Sequence, residues 1–149
     1  MRRHDHLTAF YIETLLLVMV FVSIILVLTG VFGLARKRAS EAKLLTNAVT
    51  LSQNAAEAVA ASDSDEALLK LLDERNNAVS MPDTAGVMAY YDVDMRPDPK
   101  GALRVDVTWL TEPQETGILT HSVIEVRYNG RTEPVYRLDT AAFRKEATP

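Results

Sequence analysis

The chain has 149 residues, no cysteine and a formal net charge of −4. That length suits one ordinary domain rather than two, and the lack of cysteine excludes disulfides, thiolate metal sites, a cysteine nucleophile and a lipoprotein anchor. Charge is segregated, with six Lys/Arg against three Asp/Glu in residues 1–43 and ten against seventeen in residues 44–149; an acidic body of this kind does not suit phosphate-backbone binding, so nucleic acid is not an expected partner.

Residues 1–9 (MRRHDHLTA) form a short basic leader or cytoplasmic tail. Residues 10–35 read as a transmembrane helix. Thr14 to Ala35 is 22 residues without a charge, about 33 Å as helix against a hydrocarbon core of about 30 Å. A buried globular helix would keep a polar face, and a cleaved signal would have a shorter apolar region and a small-x-small site. Here the run is long and ARKRAS follows it. The expected partner is therefore a lipid bilayer, crossed once. Arg2 and Arg3 precede the span, offset in part by Asp5, whereas Arg36, Lys37 and Arg38 form its C-terminal flank. Counted on Lys and Arg alone, the positive-inside rule slightly favours a cytoplasmic C-terminal flank. Inside the span Thr29, Gly30 and Gly33 are small, and Thr29 and Gly33 have the small-xxx-small spacing that lets helices approach closely.

Residues 36–61 continue as helix. No Pro or Gly occurs from Ala39 to Ala61, and Leu44, Leu45, Ala48, Val49, Leu51, Ala55, Ala56 and Val59 form an apolar stripe of mostly small residues. From residue 62 to 149 a small α+β domain is expected. Ser62, Asp63 and Ser64 are N-cap types, with Glu66 three positions after Asp63, and Leu68, Leu69, Leu71 and Leu72 give a second helix its buried face before Met81-Pro82 ends it. The period then becomes two. Val87–Asp94, Leu103–Trp109, Ile118–Tyr128 and Pro134–Leu138, running on toward Phe143, read as strands separated by MRPDPKG, TEPQETG and an Asn129-Gly130 hairpin signal. The expected fold is a long N-terminal helix packed on an antiparallel meander of three to four strands.

Candidate chemistry in this domain is thin. Asp92, Asp94 and Asp98 have D-x-D spacing, but Arg96 stands where a calcium loop needs an oxygen, so a solvated turn is expected. His4 and His6 form no metal set, and His121 stands alone on a strand. Tyr90 and Tyr91 read as one core and one rim position. No nucleophile elbow or phosphate loop occurs. No enzyme, cofactor or metal is expected.

The order of parts, with Arg2 and Arg3 followed by AFYIETLLL, resembles the type IV pilins and pseudopilins, whose basic leader precedes a Phe-led apolar run with a Glu near its start. It is similar as well to a divergent pilin-like group of single-pass proteins of Gram-positive anaerobes beginning F-x-x-E-T-L-L. The resemblance covers the layout of the whole chain, with motif-level similarity at about residues 9–35. It implies a membrane-inserted subunit, a minor pilin or pseudopilin of a type IV pilus or type II secretion-like filament. Its N-terminus would be cytoplasmic and its domain extracytoplasmic, reaching the cell surface after assembly. It implies an assembly role for Glu13 against a neighbouring subunit's amine, with other copies or other pilin-like subunits and a prepilin peptidase as partners. The family has Gly before the leading Phe where this chain has Ala9, and Glu13 is fifth only when counted from Ala9. Cleavage is thus placed at Ala9–Phe10, at Thr8–Ala9, or nowhere. The orientation implied is opposite to the one the basic flanks favour. The alternative reading is a permanently membrane-anchored single-pass protein whose small extracytoplasmic domain binds a partner protein as a sensor or assembly adaptor.

Overall fold

The computed structural model describes residues 3–62, 64–82 and 84–145, with side chains from Phe10 onward other than those of residues 65, 144 and 145. The elements in chain order are α1 (Arg3–Ala61), α2 (Asp65–Leu72), β1 (Ala78–Ser80), β2 (Gly86–Tyr91), β3 (Leu103–Gln114), β4 (Gly117–Tyr128) and β5 (Tyr136–Lys145). The chain divides into two compact units, Met1–Ala42 and Lys43–Pro149.

The first unit is helical, and its apolar residues are bare. Every large hydrophobic side chain from Phe10 to Leu34 is exposed, Met19 at 72% and Leu15 at 71%. Such a surface far exceeds the apolar patches that water-facing proteins carry. By length and composition α1 can cross a membrane.

The second unit is α+β. Its sheet runs β1-β2-β3-β4-β5, each neighbour antiparallel. The core lies between one sheet face and the helices. Ala48, Leu51, Ala55 and Val59 of α1 and Leu68 and Leu72 of α2 cover Val87, Ala89, Leu103, Val105, Val107, Ile124 and Val126. Small residues form the helix side of this core, Ala48, Ser52 and Ala55 being 0–2% exposed. Ser52 satisfies its hydroxyl on the Val49 carbonyl at 2.7 Å. Leu45, counted in the stripe, is 47% exposed. Helix α2 is capped by Ser64, whose Oγ accepts from the Ala67 amide at 3.2 Å; Asp63 lies outside the described residues.

The expected three to four strands are five, the addition being the three-residue β1. Two further differences have physical causes. TEPQETG is mostly strand, since β3 pairs with β4 as far as Gln114↔Gly117, including Pro113↔Ile118. Strand β2 ends opposite Thr108 and the Trp109 amide still donates to the Ala85 carbonyl at 3.2 Å, but no described strand pairs with that side of β3 at Pro113, which forfeits no ladder bond. Asn129-Gly130 does make a turn, closed by Arg131 N to Tyr128 O at 3.0 Å with Gly130 at φ +84°. Only its second central residue is left-handed, whereas the tight type I′ hairpin needs both. Strand β5 therefore starts later, at Tyr136, and runs on to Lys145.

Candidate functional site

The candidate site of the first unit is the rod itself. A hydroxyl in an apolar span costs free energy unless it is hydrogen-bonded. The three within Thr14–Ala35 are all satisfied locally: Thr14 Oγ1 donates to the Phe10 carbonyl at 2.9 Å, Ser23 Oγ to Met19 at 2.8 Å and Thr29 Oγ1 to Ile25 at 2.9 Å. Glu13 is the single charged residue between Phe10 and Ala35. It is exposed and forms no ion pair with any described residue. Phe10 is 63% exposed and meets Tyr11 edge-on, with ring centroids 6.3 Å apart. Of the other candidate leader-boundary residues, the side chains of Thr8 and Ala9 lie outside the description, as does Arg2.

Thr29, Gly30 and Gly33 make no contact that explains their size. A Cβ added at either glycine meets nothing within 4 Å, so the surface is open for a neighbouring helix. Arg36, Lys37 and Arg38 are exposed.

In the second unit the expected solvated turn is held by its own side-chain-to-backbone hydrogen bonds. Asp92 Oδ1 accepts from the amides of Asp94 at 2.8 Å and Arg96 at 2.9 Å, and Asp98 Oδ1 from Lys100 N at 2.9 Å. Asp94 instead pairs with Lys43 of α1 at 2.8 Å, and this hydrogen bond and charge hold its carboxyl below the usual range. The carboxylates thus shape the loop, and no metal-ligating group of three occurs among the described residues. Sequence reasoning missed that this loop is clamped to α1 a second time: Asn47 Nδ2 donates to the Val93 carbonyl at 2.8 Å. The signal was there, because Asn47 is the one amide inside an otherwise apolar stripe and is 7% exposed. Gly101 closes the loop, its Cα so near the Tyr91 backbone that a Cβ would overlap the carbonyl.

Tyr91 packs against the core while Tyr90 does not; burial chiefly, with Glu74 adding, raises the Tyr91 phenol above its ordinary value against a lowering contact from Asn77. His121 is exposed on β4. A charge lattice that the sequence reading passed over covers the face of the sheet away from the helices. Asp106 on β3 lies 2.9 Å from Arg104 and 3.3 Å from Arg127, Arg127 pairs with Glu125, and Arg137 bridges Glu125 and Asp139. Opposite charges at the polar positions of successive strands were its sequence signal.

No protein-family model, curated protein or solved structure matches the chain.

Proposed function

We propose that the chain is a membrane-inserted pilin-like subunit, a minor pilin or pseudopilin of a type IV pilus or type II secretion-like filament. One observation carries this reading. All three hydroxyls of the apolar span are bonded to their own helix, while the single carboxylate at its lip has no mate in the described chain. A carboxylate at the centre of a bilayer costs on the order of 2.5–3.5 kcal/mol, falling toward the interface, and a cation on an adjoining copy lowers that cost while fixing axial register. The open surface at Gly30 and Gly33 admits such a copy, and a long N-terminal helix on an antiparallel sheet is compatible with the architecture. In this reading the N-terminus is cytoplasmic, the domain extracytoplasmic and the leader is cut by a prepilin peptidase at Ala9–Phe10 or Thr8–Ala9.

The test expresses the intact chain with the prepilin peptidase of its own source and reads the mature N-terminus by mass spectrometry. Assembly of the native chain and of Glu13→Gln is then compared by cross-linking. Cleavage next to Ala9, with at least a tenfold loss of cross-linked oligomer in Glu13→Gln, is expected. A full-length monomer that stays in the membrane refutes the proposal. It would favour the permanently anchored partner-binding module, as would protease accessibility that places the exposed Arg36, Lys37 and Arg38 on the cytoplasmic side.

A further inference from the structure

The inner sheet face is filled unevenly. Cross-strand rows Val105–Val126–Tyr136 and Val107–Ile124–Leu138 lie in or against the core. The next two rows are Trp109–Ser122–Thr140 and Thr111–Thr120–Ala142, where hydroxyls and a methyl replace branched aliphatics. The covering helix also ends here, Val59 being its last core residue. Small floor residues and an ended helix leave a cavity of about 320 Å³, lined by Trp109, Thr111, Thr120 and Ala142 below and Val59 and Leu68 above. Ser62 and Ser64 add hydroxyls to the lining, and no charged residue lines it among the described residues. In the neighbouring row Ser122 is 2% exposed and its Oγ lacks a hydrogen-bond partner among the described residues, although a buried hydroxyl ordinarily has one.

Ala142 belongs to β5, the outermost strand of the sheet. That edge is ten residues long, pairs with β4 without a bulge and contains no proline. Natural edges are usually short, bulged, proline-marked or guarded by inward charges; the opposite edge, β1, is three residues long and soon followed by Pro82. On β5 the charges of Arg137 and Asp139 are taken up on the outer face with Glu125, and Tyr136, Leu138, Thr140 and Ala142, which share the inner-face register, are uncharged, the first charge in that register being Arg144 at the strand end.

We propose that the β5 edge and the adjoining cavity form one docking site for an extended segment of a partner protein, which adds as a sixth strand and places an apolar, uncharged side chain over Thr140 and Ala142. The unpaired main-chain groups of an edge call for a strand rather than a helix or a small amphiphile. Val59, Leu68, Trp109 and Ala142 favour an apolar residue at each inward position, and a cavity of this volume accepts one or two such side chains. The proposal does not depend on filament assembly.

Trp109 is the sole tryptophan of the chain, so its emission reports occupancy. The test adds the acetylated, amidated peptide Lys-Thr-Val-Thr-Val-Thr-Val-Lys to the full chain in phospholipid vesicles. A saturable blue shift with a Kd below about 1 mM is expected, weakened at least tenfold when alternate peptide nitrogens are methylated and again when Ala142→Leu fills the cavity. The methylated peptide needs no variant, so the test survives if Ala142→Leu fails to fold. The proposal is overturned if no saturable shift occurs, or if the methylated peptide binds equally well and the cavity is only an apolar sink. It is equally overturned if cross-linking traps β5 against β5 of a second copy and that contact excludes the peptide. None of these outcomes bears on N-terminal cleavage or on Glu13.

Discussion

Leu51→Ala is the sharpest test of how the helix holds the sheet. Leu51 is 4% exposed and sits on α1 between Ala48 and Ala55, both of which lie directly in the core. The substitution removes three carbons, about 2.4 kcal/mol of transfer free energy at about 0.8 kcal/mol each. The neighbouring Ala48, Ser52 and Ala55 are too short to collapse into the space, so a cavity term adds and the total reaches about 3–4 kcal/mol. Urea unfolding of the full chain in phospholipid vesicles, followed through Trp109, reads it. With a slope of about 2 kcal/mol/M the midpoint falls by about 1.5–2 M. Leu45→Ala, on the same helix but 47% exposed, is the control and should cost no more than about 0.5 kcal/mol. If both variants shift the midpoint equally, α1 does not cover the sheet through this stripe and the packing account is wrong.

Gly101→Ala should destabilise the domain by at least about 2 kcal/mol, because the new methyl overlaps Tyr91 backbone that cannot retreat without breaking β2; a midpoint shift under 0.3 M, on the order of 0.5 kcal/mol, would contradict the close approach. Asn47→Ala should cost about 1–2 kcal/mol by orphaning the Val93 carbonyl, and hydrogen exchange should speed up selectively over residues 92–101. Asp94, held low by Lys43, contributes stability present above its unfolded pKa and lost as pH falls through the lower folded value. Carboxyl titration by NMR should place it below an ordinary aspartate and return it to that range in Lys43→Ala. Unchanged titration in that variant would mean the pair does not form in solution.

The parts legible in the sequence are those with a period. The alternation from Leu103 to Trp109 and the stripe from Ala48 to Val59 each specify which side is dry, and both faces are found where the pattern puts them. The uncharged run from Thr14 to Ala35 needs no partner to be read. What escaped depends on neighbours that a local pattern cannot contain. Pro113 sits in a strand because β2 stops short of it, a fact written some 25 residues earlier at Gly86. Asn47 pairs with a carbonyl 46 positions away. The cavity beside Trp109 exists because a helix ends and three strands carry small residues in one row, and no single segment announces that coincidence. Glu13 was visible by type, and no described residue forms an ion pair with it.

The hydroxyls of Thr14, Ser23 and Thr29, each tied to the carbonyl four residues back, leave the rod chemically indifferent to what surrounds it. Acyl chains and a sibling helix present nearly the same solvent to such a surface, so exchanging one for the other alters steric fit much more than polar bookkeeping. Glu13 is then the one charged group between Phe10 and Ala35 that such an exchange would have to accommodate.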